Sequence, residues 1–122
     1  MNPLQSEEIR LLTEVGFLAG ARGDLRAACV IFDALELCRP QASFPYIGLS
    51  MALLNAGAKD EAVRVLDRGL AMVQNADAAE VQAFRGLALR LAGRGAASER
   101  AIAAAGNHAL ALALAATPGT VR

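Results

Sequence analysis

Residues 11–40 read LLTEVGFLAGARGDLRAACVIFDALELCRP, and residues 45–73 read PYIGLSMALLNAGAKDEAVRVLDRGLAMV. Laid over one another, they repeat one plan: an apolar helix that runs to a glycine, a short turn, then a second helix. Ala, Leu, Glu and Arg dominate both stretches and β-branched clusters are few, a composition that favours helix. Gly23 and Gly57 lie 34 residues apart, each where a helix must end in the left-handed conformation that glycine adopts without strain. Residues 83–109, AFRGLALRLAGRGAASERAIAAAGNHA, give the plan a third time. There Gly95 follows Gly57 by 38 residues, which implies a four-residue insertion near Asn75.

Gly and Pro punctuation divides the rest of the chain at Gly20–Gly23, Arg39–Ala42, Gly57, Asn75–Asp77, Gly93–Gly95 and Thr117–Gly119. The helices predicted between these breaks span roughly 5–21, 24–38, 43–56, 59–74, 78–93 and 96–116. Six helices with short links make three antiparallel hairpins, with repeats at about 9–42, 43–76 and 81–116 of one all-α domain covering 1–122. A single hairpin cannot bury its own apolar face, so neighbours must stack.

The repeat resembles the tetratricopeptide motif, whose period is 34 residues. That motif has a large residue early in its first helix, Leu-Gly mid-helix, a closing Gly, an Ala where the second helix crosses, an aromatic four later, and a final Pro. The first repeat carries Leu12, Val15-Gly16, Gly23, Ala28, Phe32 and Pro40 in those places. The second carries Tyr46, Leu49, Gly57, Ala62 and Leu66, with Ser50 where Gly is usual. The third carries Phe84, Leu87-Ala88, Leu91 and Gly95, with Arg100 where the small crossing residue belongs. The resemblance implies a right-handed solenoid whose first helices line a concave face.

On that face, helix 43–56 has two apolar stripes. Tyr46, Leu49 and Leu53 form one that packs against neighbouring hairpins. Phe44, Ile47, Met51 and Leu54, at spacings of three, four and three, form the other. Phe17 extends the second stripe from the first repeat and Leu89 from the third, with Arg85 one turn before Leu89 as an anchor for a carboxylate or a carbonyl. These seven residues are the expected partner-binding groove. The alternative is that the Ala- and Leu-rich segment 101–116 folds back and fills it.

Composition excludes other classes of function. Lys plus Arg and Asp plus Glu stand at 12 each, so there is no excess positive charge to displace counterions from a nucleic acid. Hydrophobic residues at 55% exclude a disordered chain, while no run reaches the roughly 20 apolar residues of a membrane span. The opening MNPLQSEEIR has no signal-peptide pattern, which points to the cytoplasm. Cys29 and Cys38 face roughly opposite sides of one helix, so no disulfide is expected, and neither has a second Cys or a His nearby to suggest zinc. His108 has no acidic or metal-binding companion at helical spacing, and Glu7-Glu8 and Asp60-Glu61 sit in first turns, where they meet the helix dipole. The glycine-rich LAGARGD and LAGRGAAS lack the Gly-Lys-Ser/Thr of a phosphate loop. No enzyme activity, cofactor or metal is implied.

The wording of residues 23–66, GDLRAACVIFDALELCRPQASFPYIGLSMALLNAGAKDEAVRVL, is similar to the small tetratricopeptide chaperones of bacterial type III secretion systems. Ala28, Ile31-Phe32 and Ala34-Leu35, followed by Phe44, Tyr46, Ile47, Gly48 and Leu49, carry the likeness. It implies a cytoplasmic chaperone that holds a secreted needle or translocator subunit in its groove before export, as a homodimer or in a heterocomplex. The first two repeats fit the translocator branch. The short chain and the RLAGRGAASER stretch fit the needle-subunit co-chaperones, which also take a second small co-chaperone. A generic protein-interaction scaffold in a larger resident complex is the alternative.

Overall fold

A computed structural model describes residues 5–117, and these are all-α, with no strand. The helices are α1 (Ser6–Ala21), α2 (Leu25–Cys38), α3 (Phe44–Asn55), α4 (Lys59–Leu70), α5 (Asn75–Leu91), α6 (Gly95–Ala104) and α7 (Ala109–Ala116). They pair as hairpins α1–α2, α3–α4 and α5–α6. α3 lies against α1 and α2, α5 against α4 and α3, and α7 against α5 and α6. None of the described helices is long and apolar enough to cross a membrane.

Local chemistry sets the helix starts. Glu8 accepts from the Gln5 backbone N–H ahead of α1, and Asp24 accepts from the Ala27 N–H at the head of α2. Pro45, in the first turn of α3, has no N–H to leave unsatisfied there. Asp60 and Glu61 open α4 where the dipole favours negative charge.

Each hairpin closes on small residues. A Cβ on Gly16 would lie 2.8 Å from the Phe32 ring, and one on Gly86 would lie 2.7 Å from Ile102. Phe32 is fully buried and also meets Gly48, where a Cβ would overlap its ring, so one aromatic joins α2 to both α1 and α3. Tyr46 does the same one hairpin on. Its ring rests on Gly69 of α4, and its hydroxyl donates to the Pro40 carbonyl. Arg68 lies over that ring at 5.9 Å and donates to both carboxylate oxygens of Glu36, tying α4 back to α2.

The structure corrects the register of the third hairpin. The left-handed residue that ends α5 is Gly93 (φ 78°), whereas Gly95 is the first residue of α6. Counted from Gly93, the small mid-helix residue is Gly86 rather than Leu87-Ala88, and the crossing residue is Ser98 rather than Arg100. Ser98 is buried as Ala28 and Ala62 are, and its hydroxyl donates to the Gly86 carbonyl at 2.7 Å. The offset from Gly57 is therefore 36 residues, an insertion of two rather than four. α4 stops at Leu70, short of the predicted 74, and α5 starts at Asn75, earlier than the predicted 78. Asn75 itself takes a positive φ of 57°, a conformation its short polar side chain tolerates.

The helix predicted over 96–116 is two helices. Gly106 takes φ 63°, and the His108 ring then accepts from the Leu110 N–H to start α7 afresh. The break predicted over 117–119 extends past Thr117 beyond the described residues.

This register has a direct stability consequence. Gly93→Ala forces a Cβ into the left-handed region and is expected to cost about 1 kcal/mol or more. Gly95→Ala meets open space in a helical position and is expected to gain roughly 0.5 kcal/mol. Urea unfolding of the two variants beside the parent protein measures both. Equal losses would restore Gly95 as the helix terminator.

Candidate functional site

α1 and α3 approach so closely that a Cβ on Gly20 would stand 3.0 Å from the Ala52 methyl. The Asn55 amide fastens the pair, donating to the Gly20 carbonyl at 2.9 Å. Above this contact lies a cleft of about 320 Å³. Gly20, Ala21, Gly48 and Ala52 line it with small groups, Phe17 and Met51 supply its large side chains, and Asn55 is its only polar side chain. Phe17 is held edge-on to Phe32, with ring centroids 5.2 Å apart, yet keeps 39% of its surface exposed. Met51 keeps 38%. No ionisable side chain lines this cleft.

Of the seven residues predicted to form the groove, the structure brings two, Phe17 and Met51, into it. Ile47 is buried, and Phe44 and Leu54 are half-buried against the core, so the stripe on α3 is exposed chiefly at Met51. Leu89 is fully buried and belongs to the core, a correction to its predicted place in the groove. α5 docks against both α4 and α3, which leaves its inner side chains little open surface. Arg85 is likewise committed: its Nε lies 2.6 Å from the Asp67 carboxylate of α4, an ion pair across the hairpin junction. The segment expected as an alternative filling lies elsewhere. α7 touches α5 and α6 and reaches neither α1 nor α3.

Sequence reasoning missed the small residues beneath the cleft. Their signal was Gly48 and Ala52, one turn apart on α3, facing Gly20 on α1. Such a patch reads equally well as plain helix packing.

No group of three or more His, Cys, Asp or Glu that could hold a metal occurs among the described residues. His108 is spent as the cap of α7, and the Ser98 hydroxyl on the Gly86 carbonyl. Cys29 and Cys38 are free and half-buried. Burial pushes the Cys29 thiol above its ordinary value, and the negative charges of Asp33 and Glu61 push it further the same way. Burial and the Glu36 carboxylate likewise raise Tyr46, against the lowering influence of Arg68.

No protein-family model matches this chain, and neither the curated proteins nor the solved structures include a significant match to it.

The raised thiol gives a measurable outcome. The thiolate is the reactive form, so a raised pKa leaves less of it at neutral pH. Iodoacetamide should therefore modify Cys29 more slowly than free cysteine at pH 7, with the rate climbing as pH rises towards the shifted value. Peptide mapping by mass spectrometry reads this directly. Modification at the free-cysteine rate would contradict the buried, acid-flanked setting.

Proposed function

We propose that this chain is a tetratricopeptide-like right-handed solenoid that catalyses nothing and holds a segment of another protein in the cleft between α1 and α3. The observation that carries this reading is the cleft itself: apolar, open, lined by no charge, and left uncovered by α7. The stacking of hairpins in chain order supports the solenoid, as do the small residues spaced 34 apart at Gly16 and Ser50 and at Ala28 and Ala62. Small groups beneath the cleft let a partner's backbone come close, while Phe17 and Met51 grip an apolar anchor from either side. Met suits this role because its unbranched thioether adapts to the shape it meets.

The occupant we infer is a needle or translocator subunit of a bacterial type III secretion system, kept soluble in the cytoplasm until export. That part of the reading rests on the resemblance of residues 23–66 to such chaperones. Its physics is consistent: a secreted subunit with an amphipathic segment exposes apolar surface before assembly, and burying that surface is worth about 25 cal/mol per Å² before association costs.

Met51→Glu and Ala21→Glu place charge in the cleft at exposed positions outside the hydrophobic core. Each should weaken cargo binding by roughly ten-fold or more, the effect of about 1.4 kcal/mol, and leave the helical circular dichroism spectrum unchanged. Calorimetric titration with co-encoded secreted subunits measures it. Unaltered binding by both variants would rule out the cleft as the site. A partner that stays with the chain in a resident complex, and is never exported, would favour a scaffold instead.

A further inference from the structure

α1 carries a second apolar face, separate from the cleft. Leu11, Val15 and Leu18 stand 52%, 51% and 49% exposed, and among the described residues α1 touches only α2 and α3. The repeat tells what such positions do elsewhere in the chain. Thirty-four residues on, Pro45, Leu49 and Ala52 of α3 are all buried, packed where the preceding hairpin lies. In α5, with the two-residue offset, Val81 and Ala88 are fully buried as well, while Arg85 stands in the place of Val15 and pairs with Asp67 of α4. α1 thus leaves open, with three apolar side chains, the face that its sister helices turn towards the preceding hairpin.

We propose that a second copy of this chain covers it, α1 against α1, antiparallel about a two-fold axis through Val15. The seam is Glu8, Leu11, Val15, Leu18 and Arg22, spaced three, four, three and four, which is the heptad spacing of a two-helix contact. Turned end for end, it is complementary to itself. Val15 meets its own equivalent, Leu11 meets the partner's Leu18, and Glu8 meets the partner's Arg22. A parallel pair would set Glu8 against the partner's Glu8 and Arg22 against the partner's Arg22, so charge selects the antiparallel arrangement. Both ends have charge to give. Arg22 is exposed and makes no ion pair among the described residues, and Glu8 uses one carboxylate oxygen on the Gln5 N–H and keeps the other. Arg10 is occupied on α1 itself with Glu7 and Glu14, so it does not compete for the seam.

Sedimentation equilibrium of the full chain over a concentration series tests this. The parent protein should follow a reversible monomer–dimer equilibrium. Val15→Glu brings two carboxylates together on the axis and should weaken the dimer by about a hundred-fold, with the circular dichroism spectrum kept because Val15 is half exposed. Glu8→Arg and Arg22→Glu should each weaken it alone, and the double variant should recover it. A parent chain that is monomeric at every concentration, or that uses this face only for a different protein, overturns the proposal. So does a dimer indifferent to Val15→Glu, or a double variant as weak as the single ones. Met51→Glu leaves the dimer intact in this account, which separates a failure here from a failure of the cleft.

Discussion

The rest of the structure depends on one constraint: the Phe32 ring needs a glycine on each side. Gly16 of α1 and Gly48 of α3 both lie where a Cβ would press into that ring. A fully buried phenylalanine contributes several kcal/mol, and here one ring fills the space between three helices at once. Enlarging either glycine would move the ring, and with it the angle between the first two hairpins. The distance between α1 and α3, and so the width of the cleft, follows from this contact together with that of Gly20 on Ala52. Phe17 gains its position from the same ring, edge-on at 5.2 Å. The cleft is therefore a by-product of core packing, set between two helices rather than on a loop.

The polar contacts reinforce the same junctions without burying unpaired charge. Asn55 bridges α3 to α1, Arg68 ties α4 to Glu36 of α2, and Arg85 ties α5 to Asp67 of α4. Each ion pair keeps at least one partner well exposed, so its energetic value is small and its role is chiefly to fix the angle between stacked helices. The Ser50 and Ser98 hydroxyls are buried but satisfied by backbone carbonyls, which lets serine stand where glycine or alanine is usual at a close crossing.

Most of the architecture was legible in the sequence because two signals agreed, the glycine punctuation and the recurrence of small residues at Gly16, Ala28 and Ala62. The third hairpin was misread where that agreement failed. Two glycines stand within RLAGRGAAS, and only backbone conformation distinguishes Gly93, which needs a positive φ, from Gly95, which does not. Gln82 worsened the reading: it occupies the slot of Leu12 and Tyr46, and it leaves its side-chain carbonyl buried without a partner. The break at Gly106 was hidden by the alanine-rich composition on both sides, which favours helix throughout. Of the cleft, only its two large side chains were legible. Phe17 and Met51 stood out as large apolar side chains on the expected face, but periodicity alone could not tell that α5 would cover its own Leu89. Nor could it tell that Arg85 would turn to Asp67.

α1 is the helix on which both proposed surfaces converge, and few of its residues are fully buried. Its buried positions are Ile9, Gly16 and Gly20, only one of them a large side chain, whereas eight residues of α3 are buried. The docking of α1 draws on the close backbone approach at Gly16 and Gly20, on the partly buried Leu12 and Ala19, and on the edge-on contact of Phe17 with Phe32. Anything that packs across Phe17 and Met51 adds contacts between α1 and α3 that exist only while α1 is docked, so it stabilises the docked state by mass action. The same logic holds for a cover over Leu11, Val15 and Leu18, because the seam is a flat apolar row only on an intact, docked α1. Cleft and seam share no side chain, yet both draw on one equilibrium, the docking of a single helix. On these two proposals, filling either surface makes filling the other easier, without any change of shape in between.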